Sequence, residues 1–272
     1  MPQATLDSIL AATRRRVADL RPQAVELERR AGAALPAPPF AAALAGTTLG
    51  VIAEVKRRSP SAGPIALELD PVRHAAAYER GGAVAISVLT EPPHFGGSLA
   101  DLEQVARAVR VPVLRKDFVV DELQLLEARG AGASAVLLIV RALPGPELGG
   151  LARAARGLGL GVLVEAHTES ELDRALAAEP TALGINSRDL ATFTLDLAAA
   201  ERLVGRVPPE VPVVAESGIE DRAAVERFAR AGADLVLVGT AAARAADPAA
   251  TVRALCGVGR QRRRSAGEGV AR

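Results

Sequence analysis

Eight short apolar runs recur from residue 49 onward, and they constrain the fold more than any other feature of the chain. Longer stretches rich in Ala, Leu and Arg separate them, at a spacing of about 20 to 30 residues. Most runs are apolar throughout rather than alternating in polarity, which is typical of strands covered on both faces. The runs are Gly50–Val55, Ala83–Leu89, Val111–Leu114, Ala135–Val140, Gly161–Val164, Ala182–Ile185, Val211–Ala215 and Leu235–Val238.

This alternation predicts parallel strands joined by crossover helices, because a parallel pair needs a long connection. Eight strands in a chain of 272 residues favour one closed (β/α)8 TIM barrel of the α/β class. An open doubly wound sheet would require a glycine-rich dinucleotide turn after the first strand, but residues 54–60 read EVKRRSP. The sequence therefore favours the barrel and lacks a nicotinamide or flavin fingerprint.

Helix-terminus signals fit the connectors between the runs. Asp70 offers an N-cap and Pro71 follows it at the first helical position, while Gly130 and Gly232 stand where two helices should end. The phrases "ARGAGASAVLLI" and "FARAGADLVLVG" repeat the same order of helix, glycine stop and strand. Repeated units of this kind support a barrel built from similar modules.

The chain divides into three predicted parts. Residues 1–45 precede the first strand and are expected to form a helical extension, and residues 46–257 form the barrel domain. Residues 258–272 form a basic tail, which we expect to be disordered and solvated rather than a nucleic-acid arm. Its arginines are Arg260, Arg262, Arg263 and Arg264.

Composition excludes several functional classes. A net charge of +1 gives no global nucleic-acid footprint, and no apolar run approaches the ~20 residues of a membrane-spanning helix. Residues 1–20 carry three central arginines instead of the apolar core of a signal peptide. Cys256 is the single cysteine, so it has no disulfide partner within the chain, which fits a reducing compartment. We therefore expect a cytoplasmic protein.

The rarest polar residues mark the predicted active end. The chain has 31 arginines but only two lysines and one asparagine, and Lys56, Lys116 and Asn186 all lie within two residues after a predicted strand. Parallel barrels carry their chemistry at these carboxyl ends. A lysine ammonium, unlike Arg, readily gives up a proton and takes it back. The same windows contain Glu54, Thr90, Glu91, Asp117, Glu165, Arg188, Glu216, Ser217, Gly218, Gly239 and Thr240.

Strand alternation and loop position refine this prediction. Glu54 and Lys56 flank one valine, so both should point the same way, into the barrel mouth. Loops after the last two strands bind phosphate in such barrels, which suits Gly218 and Gly239, although both glycines also suit simple turns. The three histidines, His74, His94 and His167, show no metal-ligand spacing and are interpreted as surface or loop residues.

At these positions the chain resembles the indole-3-glycerol-phosphate synthase family. The resemblance runs from Val51 to Leu255 through "VIAEVKRRSPSAGPI", "ISVLTEPPHFGGS", "PVLRKDFVVDELQLLEARGAGASAVLLIV", "LVEAHTESELDRAL", "LGINSRDLATFTLDL" and "VVAESGIEDRAAVERFARAGADLVLVG". It implies a carboxy-lyase of tryptophan biosynthesis that closes the indole ring of 1-(2-carboxyphenylamino)-1-deoxyribulose 5-phosphate, with loss of CO2 and water. It also implies an N-terminal helix over the barrel mouth and no metal or organic cofactor.

The resemblance implies a role for each residue of the active end. Lys116 would be the general acid, Glu165 an acid/base group supported by Glu54, and Lys56 able to exchange roles with Lys116. The implied substrate-binding residues are Ser59, Pro60, Phe95, Phe118, Asn186, Arg188, Glu216 and Ser217, and the implied phosphate-binding residues are Lys56, Gly218, Gly239 and Thr240. The chain departs from the family at Thr240, where Ser or Glu is common, and after Gly257, where no counterpart is identified.

Two other functions compete with this one. Phosphoribosylanthranilate isomerase chemistry needs a carboxylic acid and a thiol or equivalent base, but Cys256 lies past the last strand. A non-catalytic barrel that binds a phosphometabolite, or presents the basic tail to nucleic acid, would be expected to lack at least one of the charges at the strand ends, and all are present. The expected partner is a phosphorylated small molecule, without nucleic acid or membrane. A monomer or weak homo-oligomer is expected, although helix faces do not encode oligomeric state.

Overall fold

The computed structural model describes residues 5–189 and 192–263, and within them eight parallel strands close into a barrel. The order of the strands around the barrel follows the chain, and the last strand pairs with the first to close it. The strands are β1 (Gly50–Val55), β2 (Ala85–Leu89), β3 (Val113–Lys116), β4 (Ala135–Ile139), β5 (Gly161–Ala166), β6 (Ala182–Asn186), β7 (Val213–Glu216) and β8 (Leu235–Val238). The predicted (β/α)8 fold is confirmed.

Strand ends differ from the predicted runs by one or two residues, and the difference has a physical cause. β3, β5, β6 and β7 continue past their apolar runs into polar residues. Backbone pairing continues there regardless of side chain, as in the Leu89–Lys116 and Asn186–Glu216 register pairs. The strands therefore deliver their last polar side chains on rigid, hydrogen-bonded backbone rather than on loops.

Helices occupy the connectors as predicted. Asp70 accepts a hydrogen bond from the Arg73 amide at the start of one helix, Gly130 ends another, and Gly232 has the positive φ of 95° suited to a helix C-terminus. The helices are α1 (Leu6–Leu20), α2 (Ala24–Ala33), α3 (Pro71–Gly81), α4 (Pro92–Phe95), α5 (Leu99–Ala108), α6 (Glu122–Gly130), α7 (Glu147–Gly157), α8 (Glu169–Ala177), α9 (Leu197–Val204), α10 (Arg222–Ala231), α11 (Thr240–Arg244) and α12 (Pro248–Leu255).

The N-terminal extension runs along the outside of the barrel from one end to the other. Arg16 of α1 reaches the mouth, where its guanidinium lies 2.9 Å from the Asp117 carboxylate. α2 packs on α6, and Phe40 is buried at the opposite end against Gly161 at the start of β5. α1 thus meets the mouth at the end of β3. Among the described residues, none from the extension lines the central cavity.

The C-terminal segment differs from the expected solvated tail as far as residue 263. Val258 accepts a hydrogen bond from the Leu49 amide, and Arg260 and Arg263 both form ion pairs with Asp234. These arginines are held at the amino-terminal end of the barrel because a carboxylate and free carbonyls lie there to receive them. The rest of the predicted tail, including Arg264, lies outside the described residues.

A short antiparallel hairpin, not predicted from sequence, lies between β1 and α3. Arg58–Ser59 pairs with Gly63–Pro64, and the intervening turn places Ser59 and Pro60 at the mouth. The Ser59 hydroxyl accepts a hydrogen bond from the Ala62 amide at 3.1 Å. The hairpin gives this loop a defined shape above the strand ends.

Candidate active site

A cavity opens at the carboxyl ends of the strands and brings the predicted site residues together. It encloses about 1030 Å³ of empty space, counting its open mouth. Its floor is apolar and includes Leu137, Ile139 and Leu237. The predicted residues that line it are Glu54, Lys56, Ser59, Pro60, Phe95, Lys116, Phe118, Glu165, Asn186, Arg188, Glu216, Ser217, Gly218, Gly239 and Thr240.

Lys116 occupies the centre of the charged groups. Its Nζ atom lies 3.3 Å from Glu216 Oε2 and 3.7 Å from Glu165 Oε2. Both carboxyls are almost fully buried, whereas the lysine side chain keeps 15% of its surface exposed toward the cavity. β3, β5 and β7 therefore converge on one proton-bearing group that a ligand can reach.

A second ion pair stands beside the first. Lys56 Nζ lies 2.9 Å from Glu54 Oε1, and the Ser87 hydroxyl donates to Glu54 Oε2 at 3.3 Å. A Cβ atom on Gly239 would lie 2.6 Å from Glu54 Oε1 and 2.7 Å from Lys56 Nζ, closer than real atoms approach. Gly239 thus leaves the space in which this ion pair forms.

Burial and neighbouring charges set the protonation states. Burial raises the pKa of Glu216 to about 8, and the carboxylates of Glu165 and Glu54 add to this while Lys116 opposes it. Burial disfavours the Lys116 ammonium, but the surrounding carboxyls outweigh burial and raise its pKa above the ordinary range. Burial also disfavours the Glu54 carboxylate, but Lys56 and Lys116 prevail and lower its pKa.

The raised pKa of Glu216 favours its neutral form near neutral pH. A neutral Glu216 leaves fewer negative charges in the buried space around Lys116. Glu216 Oε2 meets Lys116 Nζ at 3.3 Å as an ion pair, and neither Glu216 oxygen has a further hydrogen-bond partner among the described residues. Because the groups interact strongly, each titration step belongs to the cluster as a whole and not to one residue.

Polar and aromatic walls flank the charged cluster. Asn186 Oδ1 accepts a hydrogen bond from the Arg188 amide at 2.9 Å, and the Arg188 guanidinium donates to the Phe193 carbonyl at 2.9 Å. Across the cavity, the rings of Phe95 and Phe118 have centroids 6.2 Å apart at 43°. The cavity therefore offers amide and guanidinium donors together with an apolar surface for a flat ring.

The backbone after β7 and β8 is shaped by special residues. Ser217 and Gly218 both have positive φ, at 68° and 72°. A Cβ atom on Gly218 would lie 2.8 Å from Leu197, so this position is tightly packed as well as left-handed. Gly239 immediately precedes α11, which begins at Thr240. These turns bring backbone amides to the rim, as anion binding requires.

Three polar residues that follow strands, Thr90, Glu91 and Asp117, form hydrogen bonds within the scaffold instead. Asp117 accepts hydrogen bonds from Arg16, Arg115 and Thr90, and these neighbours outweigh burial to keep its pKa low. Glu91 caps the short α4 by accepting from the amides of His94 and Phe95. Both carboxylates are committed to hydrogen bonds within the scaffold.

Sequence reasoning missed Gly184 in β6, the apolar floor and Ser87. Gly184 lies inside the predicted strand Ala182–Ile185, where nothing marked it as part of the site. A Cβ atom there would lie 2.3 Å from Glu216 Oε1. The only sequence signal was a glycine in the middle of a buried strand, where glycine is unfavourable without a spatial reason.

Comparison with known proteins assigns the family. The model of the "Indole-3-glycerol phosphate synthase" family matches residues 6–255. The chain belongs to the indole-3-glycerol phosphate synthase family. The protein of that name from Mycobacterium avium is 47% identical to this chain, over 95% of this chain and 96% of its own length. The one from Streptomyces coelicolor is 46% identical, over 93% of this chain and 95% of its own length. The protein of that name from Micrococcus luteus is 49% identical over 86% of this chain and 88% of its own length.

Solved structures support the fold independently. "Thiamine phosphate pyrophosphorylase" from Pyrococcus furiosus superposes with a TM-score of 0.58 at 18% identity, covering 77% of this chain and 94% of its own. N-acetylmannosamine-6-phosphate 2-epimerase from Clostridium perfringens superposes with a TM-score of 0.57 at 16% identity, covering 73% of this chain and 89% of its own. At such identities only the fold is shared.

As a member of this family, the chain is a carboxy-lyase of tryptophan biosynthesis. The alternative of phosphoribosylanthranilate isomerase chemistry is therefore not supported. In the part of the chain that the structure describes, no helix is long and apolar enough to cross a membrane, and no three His, Cys, Asp or Glu side chains are grouped as metal ligands.

Proposed function

We propose that the cavity catalyses the ring closure through Lys116 as general acid. A carbon of the anthranilate ring attacks the ketone carbon of 1-(2-carboxyphenylamino)-1-deoxyribulose 5-phosphate, and the ketone oxygen takes a proton as the carbon–carbon bond forms. An ammonium held beside that oxygen supplies the proton and stabilises the developing negative charge. The raised pKa of Lys116 keeps this group protonated before the substrate enters.

The later steps fall to the surrounding carboxyls. Loss of CO2 from the ring carbon leaves its bonding electrons in the ring, and loss of the new hydroxyl as water completes the indole. We assign Glu165 as the acid/base group for the dehydration, with Glu54 supporting it. Lys56, whose Nζ lies 2.9 Å from Glu54 Oε1, is able to exchange roles with Lys116.

The walls of the cavity fit the rest of the substrate. Phe95 and Phe118 provide the apolar surface for the anthranilate ring, and Asn186 and Arg188 are donors for its carboxylate. Ser59, Pro60, Glu216 and Ser217 complete the substrate contacts. The phosphate is assigned to Lys56 and to the backbone at Gly218, Gly239 and Thr240, where left-handed turns and a helix start offer amides.

One observation carries this proposal: Lys116 Nζ lies within 3.7 Å of two buried carboxyls while remaining accessible from the cavity. A lysine placed only for stability would be paired and sealed. Here the acid is held between groups able to return its proton, and it faces the space where a substrate binds.

The test is Lys116→Ala, assayed by indole fluorescence with purified protein and EDTA. General acid catalysis typically contributes about 10²–10⁴-fold, so we expect a loss of kcat of that size in a protein that still folds and binds substrate. Lys116→Arg is the matched control, since it keeps the charge but not an easily exchanged proton, and it should remain strongly impaired. Wild-type turnover in Lys116→Arg would contradict the assignment.

We also infer that the enzyme works in the cytoplasm as a monomer or weak homo-oligomer. A phosphorylated biosynthetic substrate and a single, unpaired Cys256 support the compartment. Sedimentation velocity over a hundredfold concentration range should give one species or a weak, concentration-dependent equilibrium. A stable higher assembly at the lowest concentration would contradict the second part.

A further inference from the structure

Gly184 lies between the two carboxyls that flank Lys116. It is the register partner of Glu165 on β5, and β6 also pairs with β7, which ends at Glu216. The whole strand is buried. Its φ is not positive, so the backbone at this position does not itself require glycine. The requirement is spatial.

The space at Gly184 is filled by the Glu216 carboxyl. A Cβ atom would lie 2.3 Å from Glu216 Oε1, 3.4 Å from its carboxyl carbon and 3.5 Å from the Glu165 Cα. Contacts below 3.0 Å are essentially never observed, so a methyl group at this position displaces the carboxyl. Neither Glu216 oxygen has a hydrogen-bond partner among the described residues. The 3.3 Å contact with Lys116 Nζ holds Oε2, and the space at Gly184 seats Oε1.

We infer that Gly184 is a positioning residue for the reaction: its missing side chain seats the Glu216 carboxyl against β6 and beside Lys116. The inference rests on the proposed function, in which Lys116 donates the proton. A displaced carboxyl would turn toward the cavity, change its distance to Lys116 and take up volume near the reacting ketone. Both the chemical step and the proton affinity of the cluster depend on this seat.

The first measurement is steady-state kinetics of Gly184→Ala in the full chain from pH 5.5 to 9.5. A displacement of about 1 Å can cost about 10²-fold in rate, so we expect kcat to fall about 10- to 100-fold and the pH profile to shift. KM should change less than kcat, because the phosphate and carboxylate contacts are untouched. Wild-type kcat and an unshifted profile in the folded variant would overturn the inference.

Gly161→Ala is the matched control. Gly161 is also a glycine at a β-strand position, half-buried at the start of β5, and its Cβ would lie 2.8 Å from Phe40 at the opposite end of the barrel. This variant carries a comparable steric conflict far from the cavity. We expect it to lose stability while keeping kcat per folded molecule. An equal loss of kcat in both variants would mean that Gly184 acts only through general packing, contrary to the inference.

A second background keeps the test decisive if Gly184→Ala folds poorly. In Glu216→Ala the carboxyl is gone, so adding Gly184→Ala should cause less than about a threefold further loss of kcat. A further 10- to 100-fold loss there would show that the methyl acts on something other than Glu216 and would overturn the inference.

Carbon-13 NMR of labelled glutamate separates this inference from the proposed function. The Glu216 carboxyl signal is assigned by its absence in Glu216→Gln, and its titration midpoint is followed by pH. We expect Gly184→Ala, but not Gly161→Ala, to move the midpoint toward the ordinary glutamate value by a unit or more. An unmoved midpoint overturns the inference. If the wild-type protein has no turnover but Gly184→Ala still shifts the Glu216 midpoint, the proposed function is overturned. The inference that Gly184 positions the Glu216 carboxyl then stands.

Discussion

The two ends of the barrel treat buried charge in opposite ways. At the amino-terminal end, Asp234 is satisfied from three sides, by the Val213 amide and by the guanidinium groups of Arg260 and Arg263. At the mouth, Glu216 is more deeply buried, yet neither of its oxygens has a hydrogen-bond partner among the described residues. Both residues lie at ends of neighbouring strands in the same sheet.

The difference separates stability from chemistry. A carboxylate held by several donors stays ionised and fixed, so it can stabilise the fold but cannot exchange protons near neutral pH. A carboxyl left without donors destabilises the fold when ionised, and it holds a proton that a reaction can use. In such barrels the chemistry lies at the carboxyl ends of the strands, and the opposite end serves stability.

The largest stability effect should follow from removing the charge at the amino-terminal end. Asp234→Asn leaves the buried Arg263 guanidinium without its carboxylate, and breaking such a pair typically costs about 3–5 kcal/mol. We expect the free energy of unfolding in urea at pH 7.5 to fall by about this amount. kcat at 20 °C should stay at the wild-type value because the mouth is unchanged.

Asp173→Asn is the matched control for this change. Asp173 is exposed on α8, so the same substitution there should alter the unfolding free energy by less than about 0.5 kcal/mol. If Asp234→Asn proves equally neutral, the C-terminal arginines do not fasten the barrel, and the contrast between its ends fails.

At the mouth, removing a buried charge should raise the free energy of unfolding instead of lowering it. Between about pH 4.5 and 8 the folded protein holds a proton on Glu216 that the unfolded chain has released, so stability falls as pH rises through this window. Glu216→Gln removes the penalty. The variant should match the wild type near pH 5 and exceed it at pH 8.5 by roughly 2–4 kcal/mol, since one pKa unit corresponds to about 1.4 kcal/mol.

Urea unfolding at both pH values measures this prediction. Glu122→Gln, an exposed change on α6, should leave the pH dependence of the wild type intact. A Glu216→Gln variant that is destabilised at pH 8.5 would mean that Glu216 is ionised and favourably paired, which would place the mouth in the same class as the amino-terminal end.

How much of this the sequence could predict depends on whether the cause is local. The strands followed from apolar runs, and the mouth from the fact that parallel strands all end on one side. Lys56, Lys116 and Asn186 stood out because the chain uses these residue types so rarely. All of them line one cavity.

The rest could not be predicted because it depends on lateral neighbours. Lys116 and Asp117 are adjacent in sequence and both line the cavity, but Lys116 pairs with Glu165 and Glu216, whereas Asp117 accepts a hydrogen bond from Arg115. Gly184 matters only because of a side chain on the next strand. Arg263 is paired through a carboxylate 29 positions away, which no local composition rule for a basic tail reveals.

The smallest expected effect lies where the extension meets the mouth. Arg16 reaches the fully buried Asp117 from α1, but Arg115 and Thr90 also hold that carboxylate, so its loss leaves Asp117 paired. We expect Arg16→Ala to lower the unfolding free energy by about 1 kcal/mol and to speed hydrogen exchange in α1 more than in the barrel. Arg15→Ala, exposed on the same helix, is the control and should change neither. An effect of Arg16→Ala above about 3 kcal/mol would show that α1 and the end of β3 unfold as one unit, making the mouth as dependent on a single ion pair as the amino-terminal end is on Asp234.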